Sequence, residues 1–346
     1  MQQGKLRVLL VGLGSVGAEI ARLLTDRRDV EIAAAVDAHP TRAGKDLGEV
    51  MGLGRSTGVQ IAYDHQLILA QTNAPVVLHT TDASLTSVYQ QIIACLDAGK
   101  NVISNCEELT FPWARYPELA ERLDDHARRN GVCVLGAAVN PGFIMDTLPV
   151  LLTVTCQQVA AIRVRRVADA PPDRLEVRAR CGIGLSPQGF QRAANEGSVG
   201  YGGLRESALM IADTLGWHLD EVTETIAPIL AAGRVKTPYF SVEKGCVRGL
   251  NQRLSALVGG RQTLQLEMQI SLGAEGARDE IEIDGHPPLK VTIPGGIDPQ
   301  AATAAVMINC LPAIAYSGAS GLLSMRDMPI APHRGPSSAV LEELVS

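Results

Sequence analysis

The sequence is poor in paired cysteines, aromatic rings, excess positive charge and long apolar runs, and each shortage removes a class of protein. Its seven cysteines (Cys95, Cys106, Cys133, Cys156, Cys181, Cys246 and Cys310) are odd in number and widely spaced. They form no C-x-x-C pair and no His/Cys cluster of zinc spacing, which argues against a disulfide scaffold and against a metal site. No stretch of 18 uncharged apolar residues occurs, so no spanning helix and no membrane partner is expected. Met1 to Lys5 lead into an apolar run without a signal-peptide core, and a cytoplasmic protein with reduced thiols is expected. Thirty-one basic residues against thirty-seven acidic ones leave a formal charge of -6, which speaks against a nucleic-acid partner because that needs clustered Lys and Arg. Aromatic residues are 3% of the chain, with four phenylalanines, so an aromatic side chain beside a site stands out.

What is abundant is glycine, 34 residues in 346, within a chain that is 46% hydrophobic and 20% charged. That composition suits a turn-rich α/β protein, and the length suits about two domains. From Leu6 to Val139 short β-branched runs alternate with amphipathic stretches: LRVLLV, a helix from Ser15 to about Arg27, VEIAAAV, a polar loop, GVQIAY and PVVLHTT. A helix from about Leu85 to Ala98, NVISN, a helix near Tyr116 to Arg129, and VCVLGAAV follow. Apolar runs separated by helices predict a doubly wound parallel sheet of the Rossmann type. Beyond Asn140-Pro141-Gly142 the pattern changes to a helix near Phe143 to Thr155, a strand near Val159 to Val167, a glycine-rich loop from Gly182 to Gly203 and a helix near Leu204 to Leu215. Strand-like runs VTETIAPIL, TPYFSVEKG, QTLQLEMQISL, DEIEIDG and LKVTIPG then predict an α+β domain of mainly antiparallel strands. The expected division is 1–140 for the Rossmann domain and 141–298 for a second domain, with a late helix at about 299–316 able to return to the first.

Directly after the first run stands Gly12-Leu13-Gly14-Ser15-Val16-Gly17, a G-x-G-x-x-G that opens a helix. In that context the first glycine permits the turn, the second lets backbone approach a pyrophosphate, and the third allows close helix–strand packing. Asp37 closes the second strand at the distance where a carboxylate accepts the two ribose hydroxyls of NAD. His39, Arg42 and Lys45 follow in the same loop and can wrap the 2′-phosphate of NADP, so both cofactors stay open. Thr80, Thr81 and Asp82 end the fourth strand, Asn105 to Glu108 the fifth, and Asn140, Pro141 and Gly142 the sixth, all at the edge where such sheets bind ligands.

No Tyr-x-x-x-Lys, Lys-His or Ser-His-Asp constellation falls in a plausible position. His79 lies inside the fourth strand and reads as a hydrogen-bonded core residue. His65, His126, His218, His286 and His333 lie in contexts that usually mean surface. Glu107 and Glu108, just past NVISN, are adjacent carboxylates at the ligand-facing edge. If that loop is extended they point oppositely, and only one can serve.

The runs HPTRAGKDLGEVMG, GKNVISNCEELTFP, AAVNPGFIMDTLP and GGLRESALMIADTLGW together resemble the 2,4-diaminopentanoate dehydrogenases and the native amine dehydrogenases grouped with them, distant relatives of dihydrodipicolinate reductase. The resemblance covers most of the chain. It implies an NAD(P)-binding Rossmann domain, a second domain forming much of a homodimer interface, and a substrate pocket between them. It also implies reversible oxidative deamination of an amine, with small-molecule amine or carbonyl compounds and ammonia as partners, and Glu108 as the acting carboxylate. Glu107 is the fallback. Dihydrodipicolinate reductases carry a His-His pair that is absent here, and inositol dehydrogenases carry Glu-Lys-Pro where this chain has Glu-Glu-Leu. Without that lysine the proton shuttle for an alcohol is gone, and a carboxylate suited to an amine remains.

A diamino-acid substrate needs a cation for its carboxylate, with Arg163, Arg165, Arg166, Arg178 and Arg180 as candidates, whereas Phe143, Ile144 and Met145 can wall a pocket for a plain ketone or aldehyde. A dehydrogenase of another carbonyl compound, with Glu108 only binding, is the competing enzyme. A nucleotide sensor without chemistry is the competing binding protein. The antiparallel runs between Val222 and Ile293 add to the expectation of a homodimer, since their open face needs covering.

Overall fold

The computed structural model describes residues 5–329 and Pro332, so His333 lies outside the described residues. Two compact units divide the chain, one formed by the described parts of Met1–Phe143 and Pro299–Ser346, the other by Ile144–Asp298.

The first unit is built on β1 (Leu6–Val11), β2 (Val30–Val36), β3 (Ile61–Ala62), β4 (Val76–His79), β5 (Asn101–Ser104) and β6 (Cys133–Gly136). With a short strand, Gly321–Leu323, they form a seven-stranded parallel sheet in the order Gly321–Leu323, β6, β5, β4, β1, β2, β3. Alternate residues feed two cores. Val8, Leu10, Val76, Leu78 and Ile103 pack with α1 (Ser15–Thr25) and the late helix Pro299–Tyr316. Leu9, Val11, Val77 and Val102 pack on the other face with Leu85, Val88, Ile92, Leu123 and Ala127. Both faces are therefore apolar, which is why these strands read as continuous hydrophobic runs. Helix α1 earns its helical form by burying Gly17, Ile20, Ala21 and Leu24 on one stripe.

Three short elements depart from the sequence reading. GVQIAY shrinks to the two-residue β3, and the segments around it form the short helices α2 (Leu47–Val50) and α3 (His65–Gln71). Asp46 and Asp64 cap these helices with their side chains, accepting the Gly48 and Leu67 N–H, so local polar caps prevail over the apolar pattern. Helices α4 (Leu85–Asp97) and α5 (Pro117–Arg129) follow β4 and β5.

In the second unit the helix expected from Phe143 to Thr155 shortens to α6 (Thr147–Leu152) and a following 3-10 turn. Then come β7 (Gln158–Asp169), α7 (Leu175–Arg180), α8 (Pro187–Asn195), α9 (Leu204–Leu215), β8 (Glu221–Leu230), the small pair β9 (Val235–Lys236) and β10 (Ser241–Val242), β11 (Val247–Val258), β12 (Arg261–Ser271), β13 (Arg278–His286) and β14 (Leu289–Pro294). The six-stranded sheet runs β14, β13, β7, β12, β11, β8, with β7 and β12 its one parallel pair. The segment Gly182–Gly203, expected as a glycine-rich loop, holds α8, capped by Ser186 and buried through Phe190. Strand β11 escapes the hydrophobic pattern because Gln252 takes a core position. It is 1% exposed, accepts the Tyr201 N–H, and donates to the Tyr201 carbonyl and to Glu224. On the opposite face the register places Arg253, Glu267, Arg165 and Glu280 side by side, a charged row rather than an apolar one. Among the described residues no helix is long and apolar enough to cross a membrane.

Candidate active site

The sheet order of the first unit reverses between β1 and β4, and ligands of doubly wound sheets bind outside the strand ends at such a point. There Gly12 adopts φ +89°, and a Cβ on it would lie 2.5 Å from the Thr80 carbonyl oxygen. Thr80 explains the closeness: its N–H donates to the Val11 carbonyl at 2.7 Å and its hydroxyl to the Gly12 carbonyl at 2.8 Å. At Gly17 a Cβ would fall 2.1 Å from the Gly12 oxygen, so this glycine lets helix and loop touch. Gly14 is different. It is exposed, it begins α1 without a side-chain cap, and the space where its Cβ would stand is open. An open approach to an uncapped helix N-terminus is what a pyrophosphate requires, so these residues fit a dinucleotide. Ser15 is exposed and Val16 partly so, whereas Leu13 is buried and contributes backbone.

Asp37 is 8% exposed and already engaged. One oxygen accepts the His39 N–H at 2.7 Å, and the other accepts the Leu13 N–H at 2.8 Å and Arg42 at 2.9 Å. Burial pushes its carboxyl up, but the two N–H groups and the guanidinium outweigh this and hold it below the usual range. Arg42 also donates to the Leu13 carbonyl. The exposed His39 accepts from Thr41. A carboxylate offers about four acceptor positions, and three are filled, so taking both ribose hydroxyls requires Arg42 to move. Lys45, by contrast, faces Glu49 on the surface.

At the ends of β4 and β5, His79 is fully buried, as a core residue should be, yet its ring joins the two strand ends. Gln91 Oε1, 3.0 Å from Nε2, only accepts, so Nε2 carries the proton and Nδ1 accepts from Ser104 at 3.0 Å. Thr81 donates to the same Gln91 oxygen, and Ser104 accepts the Cys106 N–H. Burial pushes the imidazole down to about 4. Asp82 is exposed and caps the turn by accepting the Ser84 N–H. Asn105 donates its N–H to the His79 carbonyl, while its side-chain oxygen is buried without a partner, a further polar group suited to a bound ligand. Asn140-Pro141 is a cis peptide, and Gly142 at φ +124° would carry a Cβ 2.6 Å from the Ala138 carbonyl oxygen.

Glu107 and Glu108 lie in a 3-10 turn, Glu107–Leu109, not in an extended loop, so their side chains diverge by about 120° rather than pointing oppositely. Glu108 is turned to α4. Its Oε2 accepts the Leu85 N–H at 2.8 Å and the Ser84 hydroxyl at 3.2 Å, capping a helix whose own N-cap side chain does not. Its Oε1 accepts the Tyr116 hydroxyl at 2.9 Å and lies 3.1 Å from Arg115. Arg115 and Tyr116 are thus drawn to the site although the sequence reading passed over them. The only signal was their place in the loop between β5 and the helix start at Pro117.

Phe143 is half-buried at the end of the first unit, and Met145, in the second, is fully buried with Ile144. Four of the five arginines considered for a carboxylate have partners within the second unit. Arg165 pairs with Glu267, Arg166 is buried against Asp279, and Arg178 and Arg180 lie over Phe240 and Tyr201. Arg163 is exposed on the charged sheet face.

Two family descriptions match the chain: "2,4-diaminopentanoate dehydrogenase C-terminal domain" over residues 143–337 and "Dihydrodipicolinate reductase, N-terminus" over residues 6–105. A 2,4-diaminopentanoate dehydrogenase of Acetoanaerobium sticklandii is 32% identical, the match covering 94% of each protein. An amine dehydrogenase of Streptomyces virginiae is 23% identical over 82% of this chain and 83% of its own. The structure of an amine dehydrogenase from Mycobacterium smegmatis shares the fold, with a TM-score of 0.84 at 23% identity over 96% of this chain and 98% of that one. With one family description spanning more than half of its length and a relative so similar from end to end, the chain belongs to the 2,4-diaminopentanoate dehydrogenase family.

Proposed function

We propose that the protein is an NAD(P)-dependent amine dehydrogenase: a protonated amine, the oxidised cofactor and water give a ketone or aldehyde, ammonium, the reduced cofactor and a proton. The observation that carries this reading is Glu108, a fixed carboxylate at the end of β5 with no lysine beside it. In the reductive direction Glu108 takes a proton from ammonium, and the neutral ammonia adds to the carbonyl carbon. Glu108 then returns that proton to the leaving hydroxyl, which departs as water, and the carboxylate, negative again, stabilises the resulting iminium. The nicotinamide, when bound, supplies the hydride. Gly12, Gly14 and Gly17 hold the pyrophosphate end, with Thr80, Thr81, Asn105 and the Asn140–Gly142 turn at the same sheet edge.

Asp37 and Arg42 support use of both cofactors. Paired with Arg42, the carboxylate no longer repels a 2′-phosphate, and the guanidinium provides a partner for one. Arg42→Gln is expected to weaken NADPH at least tenfold more than NADH. The protein acts in the cytoplasm as a homodimer, a reading that light scattering at monomer mass would overturn. The activity is tested by offering ketones, aldehydes and 2-amino-4-oxopentanoate with NADH or NADPH. Cofactor oxidation that depends on ammonium supports the reading, and oxidation indifferent to ammonium favours a dehydrogenase of another carbonyl compound.

A further inference from the structure

The Glu108 carboxylate has two unlike sides. Oε2 is held by a backbone N–H and by the Ser84 hydroxyl, both at the start of α4, and cannot turn away without uncapping the helix. Oε1 is held by side chains alone, the Tyr116 hydroxyl and Arg115, whose guanidinium lies 5.2 Å from the centre of the Tyr116 ring. Arg115 is 42% exposed and Glu108 12%, so the arginine forms the outer layer over the carboxylate.

On the amine dehydrogenase reading, on which this inference rests, a cation in that position obstructs the chemistry. It occupies the oxygen that ammonium must reach, and it repels the iminium that the carboxylate has to stabilise. An arginine leaves such a partner readily only for another anion, and its planar fork matches a carboxylate best. We infer that Arg115 is a specificity-determining residue: it takes the carboxylate of an oxo-acid or amino-acid substrate and, in turning to it, frees Glu108 Oε1 for the reacting nitrogen. Tyr116 remains on Oε1 and keeps the carboxylate oriented. A neutral ketone carries no anion to exchange for the Glu108 carboxylate and so lacks this means of opening the Arg115–Glu108 pair.

The test compares 4-oxopentanoate with pentan-2-one, methyl ketones alike except for the carboxylate, at saturating ammonium and reduced cofactor. In the wild-type protein kcat/KM favours the oxo acid. In Arg115→Gln that preference is expected to fall roughly 10- to 100-fold, the size of a lost charge-assisted contact, mainly through KM for the oxo acid and with a gain on pentan-2-one. Arg115→Lys keeps a point charge without the fork and is expected to retain an intermediate preference. Damage to the fold lowers both substrates together and leaves the ratio where it was. A preference that falls less than tenfold in Arg115→Gln overturns the assignment while leaving the amine dehydrogenase reading intact. Wild-type protein without ammonium-dependent turnover of any ketone or aldehyde overturns that reading first, before any variant is compared.

Discussion

Glu108 both caps α4 and, on the proposed mechanism, handles the proton, and two substitutions separate these roles. Glu108→Gln keeps an oxygen that can accept the Leu85 N–H and the Ser84 hydroxyl, so the cap survives. What it loses structurally is the pair with Arg115, which is two-fifths exposed and therefore worth about 1 kcal/mol at most. The expected fall in melting temperature is within about 4 °C for a unit of this size. Its catalytic loss is far larger. An amide neither takes a proton from ammonium nor faces an iminium with negative charge, and removing such a group typically lowers kcat about 10²- to 10⁴-fold. Glu108→Ala removes the cap as well, adding about 1 kcal/mol of destabilisation without a further catalytic loss of comparable size. The assay is ammonium-dependent oxidation of the reduced cofactor, followed beside thermal melts of the three proteins and cofactor titrations by fluorescence. Cofactor affinity is expected to survive in both variants. A Glu108→Gln protein that keeps more than a tenth of wild-type kcat would refute the reasoning and leave Glu108 as a helix cap alone.

The glycines of the first loop should respond unequally. Gly17→Ala puts a Cβ 2.1 Å from the Gly12 oxygen, so the loop must shift, with lost stability as well as lost cofactor binding. Gly14→Ala meets open space and should melt like the wild type while binding NAD(P)H at least tenfold more weakly; equal affinity would mean that the pyrophosphate lies elsewhere. His79 sets a pH dependence. Its imidazole titrates near 6.5 when unfolded and near 4 when buried, so the unfolded chain binds the extra proton. Its contribution is present above pH 6.5 and lost as pH falls toward 4, about 3 kcal/mol in all by linkage. Urea melts across that window should show the loss, and His79→Asn should flatten the slope; an unchanged slope would mean that another group governs it.

The first unit was legible because its physics is local and periodic. Strands buried on both faces give unbroken apolar runs, and Gly12-Leu13-Gly14-Ser15-Val16-Gly17 marks the turn that follows the first of them. Position at the end of NVISN was enough to single out the pair Glu107 and Glu108, and the family resemblance chose Glu108 from it, but nothing in the sequence pairs Glu108 with Leu85, Ser84, Arg115 and Tyr116, since those contacts depend on how the loops after β4 and β5 close on each other. The sequence places Asp37 where a carboxylate can accept ribose hydroxyls but shows nothing of the three donors that the fold already gives it. In the second unit, β11 hid behind Gln252, a polar residue whose buried amide is satisfied by Tyr201 and Glu224. Hydrophobic pattern reports burial only where burial is apolar.

The central claim is that one carbon of the product receives nitrogen from ammonia and hydrogen from the nicotinamide. It is tested most directly by mass spectrometry of the product formed from 2-amino-4-oxopentanoate or a plain ketone with nitrogen-15 ammonium and cofactor deuterated at the transferring position. The account predicts an amine carrying both labels in equal amount, formed only when both are supplied. An alcohol carrying deuterium without nitrogen-15 would contradict it.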